Sequence, residues 1–359
     1  MKITIKQIAE IAGVHRSTVD KVLHNREGVS QEVRQRVQKI IDEYGYRPNP
    51  IGQALKKQDQ KIKIGVILLE VDAKERILSG IKEGLSAYQS FDIELMYHTV
   101  NYPDVGEQIR LIHKMIEQKA DGIILSPINS PEIVSVIDYC NGLHIPIITV
   151  NTDVKGSQRF CFIGQEGERA GRVGGRLMGE FLNGKGNVAV FTSDGHEQQS
   201  FSYNKRDKGF RAMIKETYPK MHVLKSIRTD EDAMTIAEET RNLLEKEKYL
   251  KGIFITCGGV REVGKVLKEQ GKEDIKVICY EDYPDILQLL KEEVVDATIT
   301  SQLKVQGKQS IEYLLDYLVY DKKPPKKHLY TNIRILLKEC IYEINKISAF
   351  LIKIKEIIC

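Results

Sequence analysis

The sequence predicts an all-α helix-turn-helix headpiece at the N-terminus, followed by an α/β core of two doubly wound parallel-sheet subdomains. Three observations lead to this fold class. The 359 residues, 42% of them hydrophobic, suggest two or three domains rather than one small module. Amphipathic helical patterns fill the first fifty residues, and from Lys61 onward apolar strand-like runs alternate with helical stretches. We divide the chain into a headpiece (1–49), a hinge helix and linker (50–60), a two-subdomain core (61–335) and an amphipathic tail (336–359).

The net positive charge of the chain lies entirely in its N-terminal segment. Residues 1–60 hold eleven Lys/Arg against seven Asp/Glu, whereas the remaining residues carry 43 of each. A small segment with such an excess is typical of a region that contacts a polyanion.

The composition excludes several classes of protein. The first residues, MKITIKQIAEIAG, contain no uninterrupted apolar stretch followed by a small-residue cleavage site, so we expect no signal peptide. No run approaches the roughly 20 apolar residues of a membrane helix. The six cysteines are scattered, without a C-x-x-C pair or a histidine at ligand spacing, which argues for reduced thiols. We therefore expect a cytoplasmic protein without a metal or a cofactor.

Capping signals define the first helix. Thr4 and Gln7 have the spacing of a capping box. Apolar residues follow at helical spacing, and Gly13 supplies the left-handed residue that ends the helix.

A second short helix begins three residues later. Its apolar residues turn inward, while Arg16, Ser17, Asp20 and Lys21 fall on the opposite face. Two such helices joined by a tight glycine turn make a helix-turn-helix, whose second helix enters the major groove of DNA. A third helix, with Ser30 as its N-cap, closes the small core. A plain three-helix bundle is the alternative for this segment.

Four motifs add to this pattern: the I-A-x-x-A-G-V turn, the T-V-x-K-V-L recognition helix, V-S before helix three, and Y-R-P-N ahead of a short A-L segment. In these motifs the segment closely resembles the DNA-binding headpiece of the lactose-repressor/galactose-repressor family. The resemblance implies that Arg16, Ser17 and Lys21 reach base edges, where a guanidinium is able to take guanine O6 and N7 together.

The resemblance also suggests which residues contact the DNA backbone. Thr4, His15, Asn25 and Arg34 are the residues we expect to meet phosphates, which position a protein without specifying sequence. For His15, a solvated surface histidine is an equally good interpretation.

Residues 51–57 resemble the hinge helix of the family, which pairs with its copy in a second subunit and enters the minor groove. Leu55 resembles the lever that wedges between base steps, and Ala54 the small residue that allows close approach. Gly52 stands where family members more often have Ala, and it weakens the helix by roughly 1 kcal/mol. We therefore expect a hinge that becomes ordered only on DNA.

The core is predicted from continuous apolar strands between amphipathic helices, which indicate parallel sheets covered on both faces. The predicted strands are 62–69, 93–97, 122–125, 145–150, 187–191, 252–255, 276–280 and 297–300. The predicted helices include 76–88, 105–119, 167–182 and 234–248.

With anchors at Ala120, Ile145, Arg206, Phe210 and Ala297, this region resembles the sugar-binding core shared by these repressors and the ribose-type periplasmic binding proteins. Ligand in that fold lies between the subdomains, at the carboxyl ends of the strands. Carrying positions over residue by residue gives the candidate ligand-binding residues Asn151, Asp153, Arg206, Glu281, Ser301 and Gln302.

For three of these candidates, Asn151, Glu281 and Ser301, a strand-end polar residue that faces water is the alternative. Arg206 matches the arginine of the family that forks onto sugar hydroxyls or a carboxylate. Stacking on a sugar face is expected from one of the aromatic residues Tyr97, Phe201, Tyr203 and Tyr283.

Two departures from the family indicate a different ligand. Many members carry an Asn-Asp pair after the strand that here ends at Cys257, whereas this chain has Gly258 and Gly259. The strand-end residue at 281 is Glu rather than Asp.

The remaining motifs point away from catalysis. The glycines in 164–167 and 171–175 lack phosphate-loop spacing, so close helix packing is the better interpretation. His196 is a lone histidine beside a carboxylate, without a triad or a metal set.

From Cys340 to Ile358 apolar residues form a heptad seam, which either packs on the core or joins subunits.

We therefore interpret the chain as a ligand-responsive transcription regulator, a repressor of a carbohydrate-utilisation operon. It is expected to bind a pseudo-palindromic operator as a homodimer, or a higher oligomer through its tail, and to respond to a sugar-like effector. A solute-binding protein and a sugar-handling enzyme are the alternatives. A helix-turn-helix has no role in a solute-binding protein. An enzyme would need an acid/base pair or a nucleophile motif, and the sequence shows neither.

Overall fold

The computed structural model of the chain describes residues 3–23, 26–46, 57, 58, 60–193, 196–229 and 231–341, without the side chains of 196–201. The contacts predicted for Asn25, Ala54 and Leu55, the stacking of Phe201, and the heptad seam beyond Cys340 lie outside the described residues. The chain divides into two compact units, one formed by the first sixty residues and the other beginning at Lys61.

In the described part of the first unit lie the helices α1 (Ile5–Ala12), α2 (Arg16–Leu23) and α3 (Gln31–Glu43). The predicted capping box is confirmed, since the Thr4 hydroxyl accepts the backbone N–H of Gln7 and the Gln7 side chain accepts that of Thr4. Gly13 ends α1 at φ 61°, in the left-handed region where glycine carries no steric penalty.

A small apolar core holds these three helices together. Ile8, Val19 and Val37, one from each helix, are fully buried in it. The Ser30 hydroxyl caps α3 by accepting the backbone N–H of Val33 at 3.4 Å, as predicted.

The second unit alternates strands and helices along its whole length. Its strands are β1 (Ile62–Leu69), β2 (Ile93–Val100), β3 (Gly122–Leu125), β4 (Ile147–Val150), β5 (Cys161–Gly164), β6 (Lys185–Ser193), β7 (Lys220–Val223), β8 (Ile227–Thr229), β9 (Leu250–Ile255), β10 (Lys276–Tyr280), β11 (Ala297–Thr300), β12 (His328–Tyr330) and β13 (Arg334–Leu336). Its helices are α4 (Ala73–Leu85), α5 (Val105–Glu117), α6 (Pro131–Gly142), α7 (Gly167–Phe181), α8 (His196–Thr217), α9 (Ala233–Lys246), α10 (Val260–Glu269), α11 (Pro284–Lys291) and α12 (Leu303–Tyr320).

Two separate sheets confirm the predicted pair of doubly wound subdomains. The first runs in the order β12-β5-β4-β3-β1-β2, with parallel pairing throughout. The second runs β13-β11-β10-β9-β6-β7, with β8 also paired to β6, and its β13 is antiparallel to β11. In β9, Ile253 and Ile255 enter one apolar cluster and Phe254 another, so the sheet is buried on both faces.

The chain crosses between the subdomains three times, after β5, after β11 and after β12. The crossing segments are hydrogen-bonded to one another. Gln165 donates from Nε2 to the carbonyl of Thr300 at 3.2 Å, and Thr331 donates from Oγ1 to the carbonyl of Ser301 at 2.9 Å. Such a connection is the usual form of a hinge between two rigid bodies.

Close packing of α7 on α8 confirms the helix-packing interpretation of the glycines in 167–175. A Cβ at Gly171 would overlap the carbonyl oxygen of Arg206, and a Cβ at Gly209 would overlap that of Glu168. Phe210 on α8 also stacks on Phe254, with ring centroids 4.2 Å apart. These contacts fix the position of α8 and therefore of Arg206.

Some predicted boundaries differ from those of the structure. The predicted core ends at residue 335, but Leu336 completes β13 and Ile341 still packs on the apolar cluster of the second subdomain. The amphipathic tail therefore does not begin at 336. In the part of the chain that the structure describes, no helix is long and apolar enough to cross a bilayer.

Candidate functional site

The helix-turn-helix unit presents a polar face on α2. Arg16, Ser17 and Lys21 are exposed, whereas Val19 and Val22 on the same helix are buried. The helix therefore has the predicted orientation, with its base-reading candidates turned to solvent. A guanidinium, a hydroxyl and an ammonium within two turns of one helix offer donors suited to base edges.

The candidates for phosphate contacts are also engaged locally. His15 precedes α2 and caps it, since its Nδ1 accepts the backbone N–H of Ser17 at 3.3 Å and lies 2.8 Å from the Ser17 hydroxyl. Arg34 is half-buried and donates from Nη2 to the carbonyl of Arg26 at 2.6 Å. Thr4 carries the capping box of α1. These bonds order the unit, and the phosphate contacts stay predictions.

A cavity of about 520 Å³ lies between the two subdomains, where the strands end at their carboxyl termini. Polar and aromatic residues predicted for a pocket reach it from both sides: Asn151, Asp153, Tyr203, Arg206, Glu281, Tyr283 and Ser301. Tyr97 and Gln302 do not line it.

Arg206 lies in the wall of the cavity that the second subdomain forms. Its guanidinium carbon stands 3.8 Å from the centroid of the Tyr280 ring, and Nη1 donates to the carbonyl of Thr256 at 2.9 Å. Nη2 donates to Gln165 Oε1 at 3.3 Å and lies 3.6 Å from Glu281 Oε1. Through Gln165 the guanidinium is therefore joined to a segment that crosses between the subdomains.

Three buried polar atoms around this guanidinium have no hydrogen-bond partner among the described residues. They are Nε of Arg206, the hydroxyl of Tyr280 and the hydroxyl of Ser301. Ser301 also donates its backbone N–H to Glu281 Oε2 at 3.2 Å, which places all four residues in one cluster. Because unpaired buried polar groups are costly, such a cluster is typical of a site completed by a ligand or by water.

Burial dominates the electrostatics of Glu281. It raises the pKa of this carboxyl above 4.5, although the positive charge of Arg206 opposes the shift. The carboxylate is thus held by Arg206 and Ser301 in a poorly hydrated place.

Two of the six predicted ligand residues have other partners. Asp153 lines the cavity, but it forms an ion pair with buried Arg159, whose Nη2 donates to Oδ2 at 2.7 Å, and Thr149 donates to Oδ1 at 3.0 Å. This favours a structural role. Gln302 is not among the residues that line the cavity, and its amide donates to the carbonyl of Asn332.

Positive φ angles mark the strand ends around the cavity. Of the nine non-glycine residues with positive φ among those described, five follow helix C-termini, where this conformation is common. The other four follow strands β4, β8, β10 and β11: Asn151, Glu231, Glu281 and Gln302. Strained backbone of this kind clusters at ligand sites.

Glu231 was missed from the sequence, together with Gln165 and Tyr280. Glu231 lies in a three-residue interval between β8 and α9, where nothing in the pattern marks a strand end. The only signal that pointed to it was the pair Gly258 and Gly259, read as a departure from the family.

A contact between the subdomains lies beside the cavity. Arg76 on α4 donates to the carbonyl of Asp282 at 2.6 Å and forms an ion pair with its carboxylate at 3.1 Å. The guanidinium also lies 5.6 Å from the centroid of the Tyr283 ring. Both Asp282 and Tyr283 follow β10 of the second subdomain, so this contact links the two rims of the cleft.

Comparison with known proteins matches both units to described families. Residues 4–49 match "Bacterial regulatory proteins, lacI family", and residues 79–323 match "Periplasmic binding protein domain".

Among curated proteins, the HTH-type transcriptional regulator TreR of Escherichia coli is 30% identical over 126 residues, 34% of this chain and 38% of that protein. The chain thus spans well under half the length of that relative. The HTH-type transcriptional repressor PurR of Vibrio vulnificus is 23% identical over 351 residues, 95% of this chain and 99% of that protein.

Among solved structures, a solute-binding protein from Burkholderia graminis in complex with D-arabinose has a TM-score of 0.71 at 24% identity, covering 79% of this chain and 98% of that one. A putative LacI transcriptional regulator from Bacteroides fragilis has a TM-score of 0.69 at 23% identity, covering 78% and 98%. At these identities the likeness establishes the fold of the core.

Proposed function

The chain belongs to the lacI family of bacterial regulatory proteins, and from this premise we propose that it is a DNA-binding transcription regulator controlled by a sugar-like effector. One observation carries the proposal. A helix-turn-helix that exposes Arg16, Ser17 and Lys21 is joined in one chain to a cleft with unpaired buried polar atoms. A solute-binding protein does not need a helix-turn-helix.

On DNA, α2 lies in the major groove, with Arg16, Ser17 and Lys21 reading bases. Backbone contacts come from Thr4, His15, Asn25 and Arg34, and Ala54 and Leu55 of the hinge enter the minor groove. Because each headpiece reads one half-site, the protein acts as a homodimer on a pseudo-palindromic operator.

In the cleft, an effector with several hydroxyl groups completes the cluster around Arg206. Hydroxyls both donate and accept, so they satisfy Nε of Arg206, the Tyr280 hydroxyl and the Ser301 hydroxyl together. A sugar ring fits this requirement, and the Burkholderia graminis protein of the same core fold binds D-arabinose.

The hinge couples the two sites. Ligand contacts on both cleft walls change the relative orientation of the subdomains through the three crossing segments, to which Arg206 is bonded by way of Gln165. That change alters the spacing of the paired hinge helices and with it operator affinity. We assign the chain to the cytoplasm as a non-enzymatic repressor of a carbohydrate-utilisation operon.

A selection from random duplexes followed by a mobility-shift assay tests this function. We expect enrichment of a pseudo-palindrome, and a shift whose midpoint changes in the presence of one of the sugars D-arabinose, D-galactose, D-allose and D-tagatose. Enrichment of no sequence would exclude the DNA-binding role. Binding of a sugar without binding of DNA would favour a solute-binding protein, and turnover of the sugar an enzyme.

A further inference from the structure

Glu231 brings a second carboxylate to the wall of the cleft that carries Arg206. It lines the cavity at φ 61°, the left-handed conformation that Asn151 and Glu281 also adopt at their strand ends. A glutamate in this conformation is strained, and such strain persists only where the surroundings hold the residue in place.

Three donors hold the Glu231 carboxylate. The Tyr203 hydroxyl, the Ser193 hydroxyl and the backbone N–H of Gly258 all donate to it. A carboxylate has about four acceptor sites, so capacity remains for a donor from the cleft. The residue itself is exposed to the open cleft.

Gly258 supplies the space that the carboxylate occupies. A Cβ at this position would lie 2.6 Å from Glu231 Oε2, well inside van der Waals contact. The φ of Gly258 is not in the left-handed region, so its backbone does not require glycine. The absence of a side chain at 258 is therefore explained by the presence of Glu231.

The charges on this wall disfavour an anionic ligand. Glu231 and Glu281 both lie within electrostatic reach of Arg206, so one positive charge faces two negative charges. Three further cations line the cavity: Lys155, Lys205 and Arg261. Lys205 has Glu166 and Asp153 close to it, and Arg261 forms an ion pair with Glu262. Carboxylates outnumber cations in the lining as a whole. A carboxylate or phosphate at the Arg206 wall would meet two like charges, whereas hydroxyl groups would find two carboxylate acceptors near the guanidinium.

We propose that Glu231 is an effector-binding residue that selects uncharged polyhydroxylated ligands at this wall, and that Gly258 is small to admit its carboxylate. The inference rests on the proposed effector site and adds the ligand class and a residue that determines it. Hydroxyls of the ligand donate to Glu231 and Glu281 while Arg206 donates to a ligand oxygen.

Calorimetric titration of the full-length protein tests the proposal. The probes are D-arabinose, D-galactose, D-allose and D-tagatose, with D-galacturonate as the anionic counterpart of galactose. For the best neutral sugar, Glu231→Gln should weaken binding by roughly ten- to a hundredfold, since a charge-assisted hydrogen bond is lost. The matched control, Glu245→Gln on the exposed face of α9, should leave affinity unchanged.

Gly258→Ala provides an independent variant. Its Cβ displaces the end of a flexible side chain rather than backbone, so it should weaken sugar binding and lower the Tm of the ligand-free protein less than Gly171→Ala, whose Cβ overlaps backbone. Gly142→Ala, where a Cβ meets nothing within 4 Å, is its control.

Unchanged sugar affinity in both Glu231→Gln and Gly258→Ala would overturn the inference while leaving the regulator proposal intact. Tighter binding of D-galacturonate than of every neutral sugar would overturn the ligand class. Failure of the wild type to bind any probe would remove both the inference and the sugar-like effector, and operator selection would still report the DNA-binding role separately.

Discussion

Arg206 is the residue on which effector binding is expected to depend most. Its Nε has no partner among the described residues, while its other nitrogens hold it against Thr256 and Gln165. Arg206→Ala should therefore lose a charge-assisted contact of roughly 1.5–3 kcal/mol and abolish the sugar-induced rise in Tm, with operator binding retained.

Lys208→Ala is the control for Arg206→Ala, because Lys208 lies on the same helix and pairs with Glu168 on the exposed side. Lys205 is unsuitable, since it lines the cavity. An undiminished rise in Tm for Arg206→Ala would rule out this arginine as the effector anchor.

Arg16 is expected to read a base. Arg16→Ala should cost on the order of 1–3 kcal/mol on the selected operator and relax preference at one position. Arg36→Ala removes the same charge from an exposed position on α3 and should affect specific and random DNA alike. Fluorescence anisotropy on both duplexes measures the difference. Equal losses on the two duplexes for Arg16→Ala would reduce it to a backbone contact.

Glu281 gives effector binding a pH dependence. Burial raises its pKa above 4.5, and the groups that face it are Arg206, Ser301, Asp282 and Tyr283. Protonation removes an acceptor for ligand hydroxyls, so sugar affinity should fall on acidification, beginning at a higher pH than an ordinary glutamate would require. In the ligand-free protein this shift contributes stability below the ordinary pKa, and the contribution is lost as pH rises through the raised pKa.

Titrations of the best neutral sugar between pH 7.5 and 4.5 measure the effect. Glu281→Gln should show a smaller fall in affinity, because burial also raises the pKa of Glu231, and the double variant Glu231→Gln/Glu281→Gln should lack the fall. Affinity that stays constant over this range in the wild type would mean that the carboxylate is not used.

At the scale of elements, the contact of α7 with α8 is the one that positions the site. Gly171→Ala forces the two helices apart, because its Cβ overlaps the backbone of Arg206. Overpacking of this kind costs about 1–3 kcal/mol, and we expect weaker sugar binding as well. Urea unfolding measures the loss in the free energy of unfolding, and calorimetry measures the loss in sugar affinity. Gly142→Ala on α6 is the control, and equal stabilities of the two variants would contradict the close approach.

The elements differed in how well the sequence predicted them. The strands β1, β3, β10 and β11 have the predicted bounds, because each is a continuous apolar run that ends at a polar residue or a loop. The strands β5, β7, β8, β12 and β13 were missed. They are three or four residues long, and in β7, β8, β12 and β13 a basic residue or a histidine interrupts the apolar run. The pairing that creates β12 and β13 also joins segments far apart in the chain.

The residues of the candidate site also differed in how well the sequence predicted them. Glu281 was predictable because it follows the apolar run of β10, and Arg206 because it stands three residues before Gly209 in a segment that resembles the family, although it lies well inside α8. Asp153 has the right place but forms its ion pair with Arg159, a partner that sequence spacing does not reveal. Glu231 depends on the fold of a short segment against Gly258, which only the structure shows.

At the scale of the whole core, the contact of Arg76 with Asp282 and Tyr283 holds the two rims of the cleft together. Both ends of the ion pair are one-third exposed, so its contribution is expected to stay below about 1 kcal/mol. Arg76→Ala should therefore lower sugar affinity by no more than about fivefold, by depopulating the closed cleft. Arg110→Ala, which breaks an exposed pair within α5, is the control for calorimetry. A loss above tenfold would indicate direct contact with the ligand.

The three crossings also govern how the protein is made. The first sheet gains its edge strand β12 from residues 328–330, and α12 packs against Gly80 and Gly122 of the first subdomain. A ribosome must therefore synthesise nearly the whole chain before the first subdomain is complete. Until then β5 offers an unpaired edge, the kind of surface through which nascent chains aggregate. Chains truncated before residue 328 should consequently depend on chaperones during expression, even though they contain both helix-turn-helix and cleft residues.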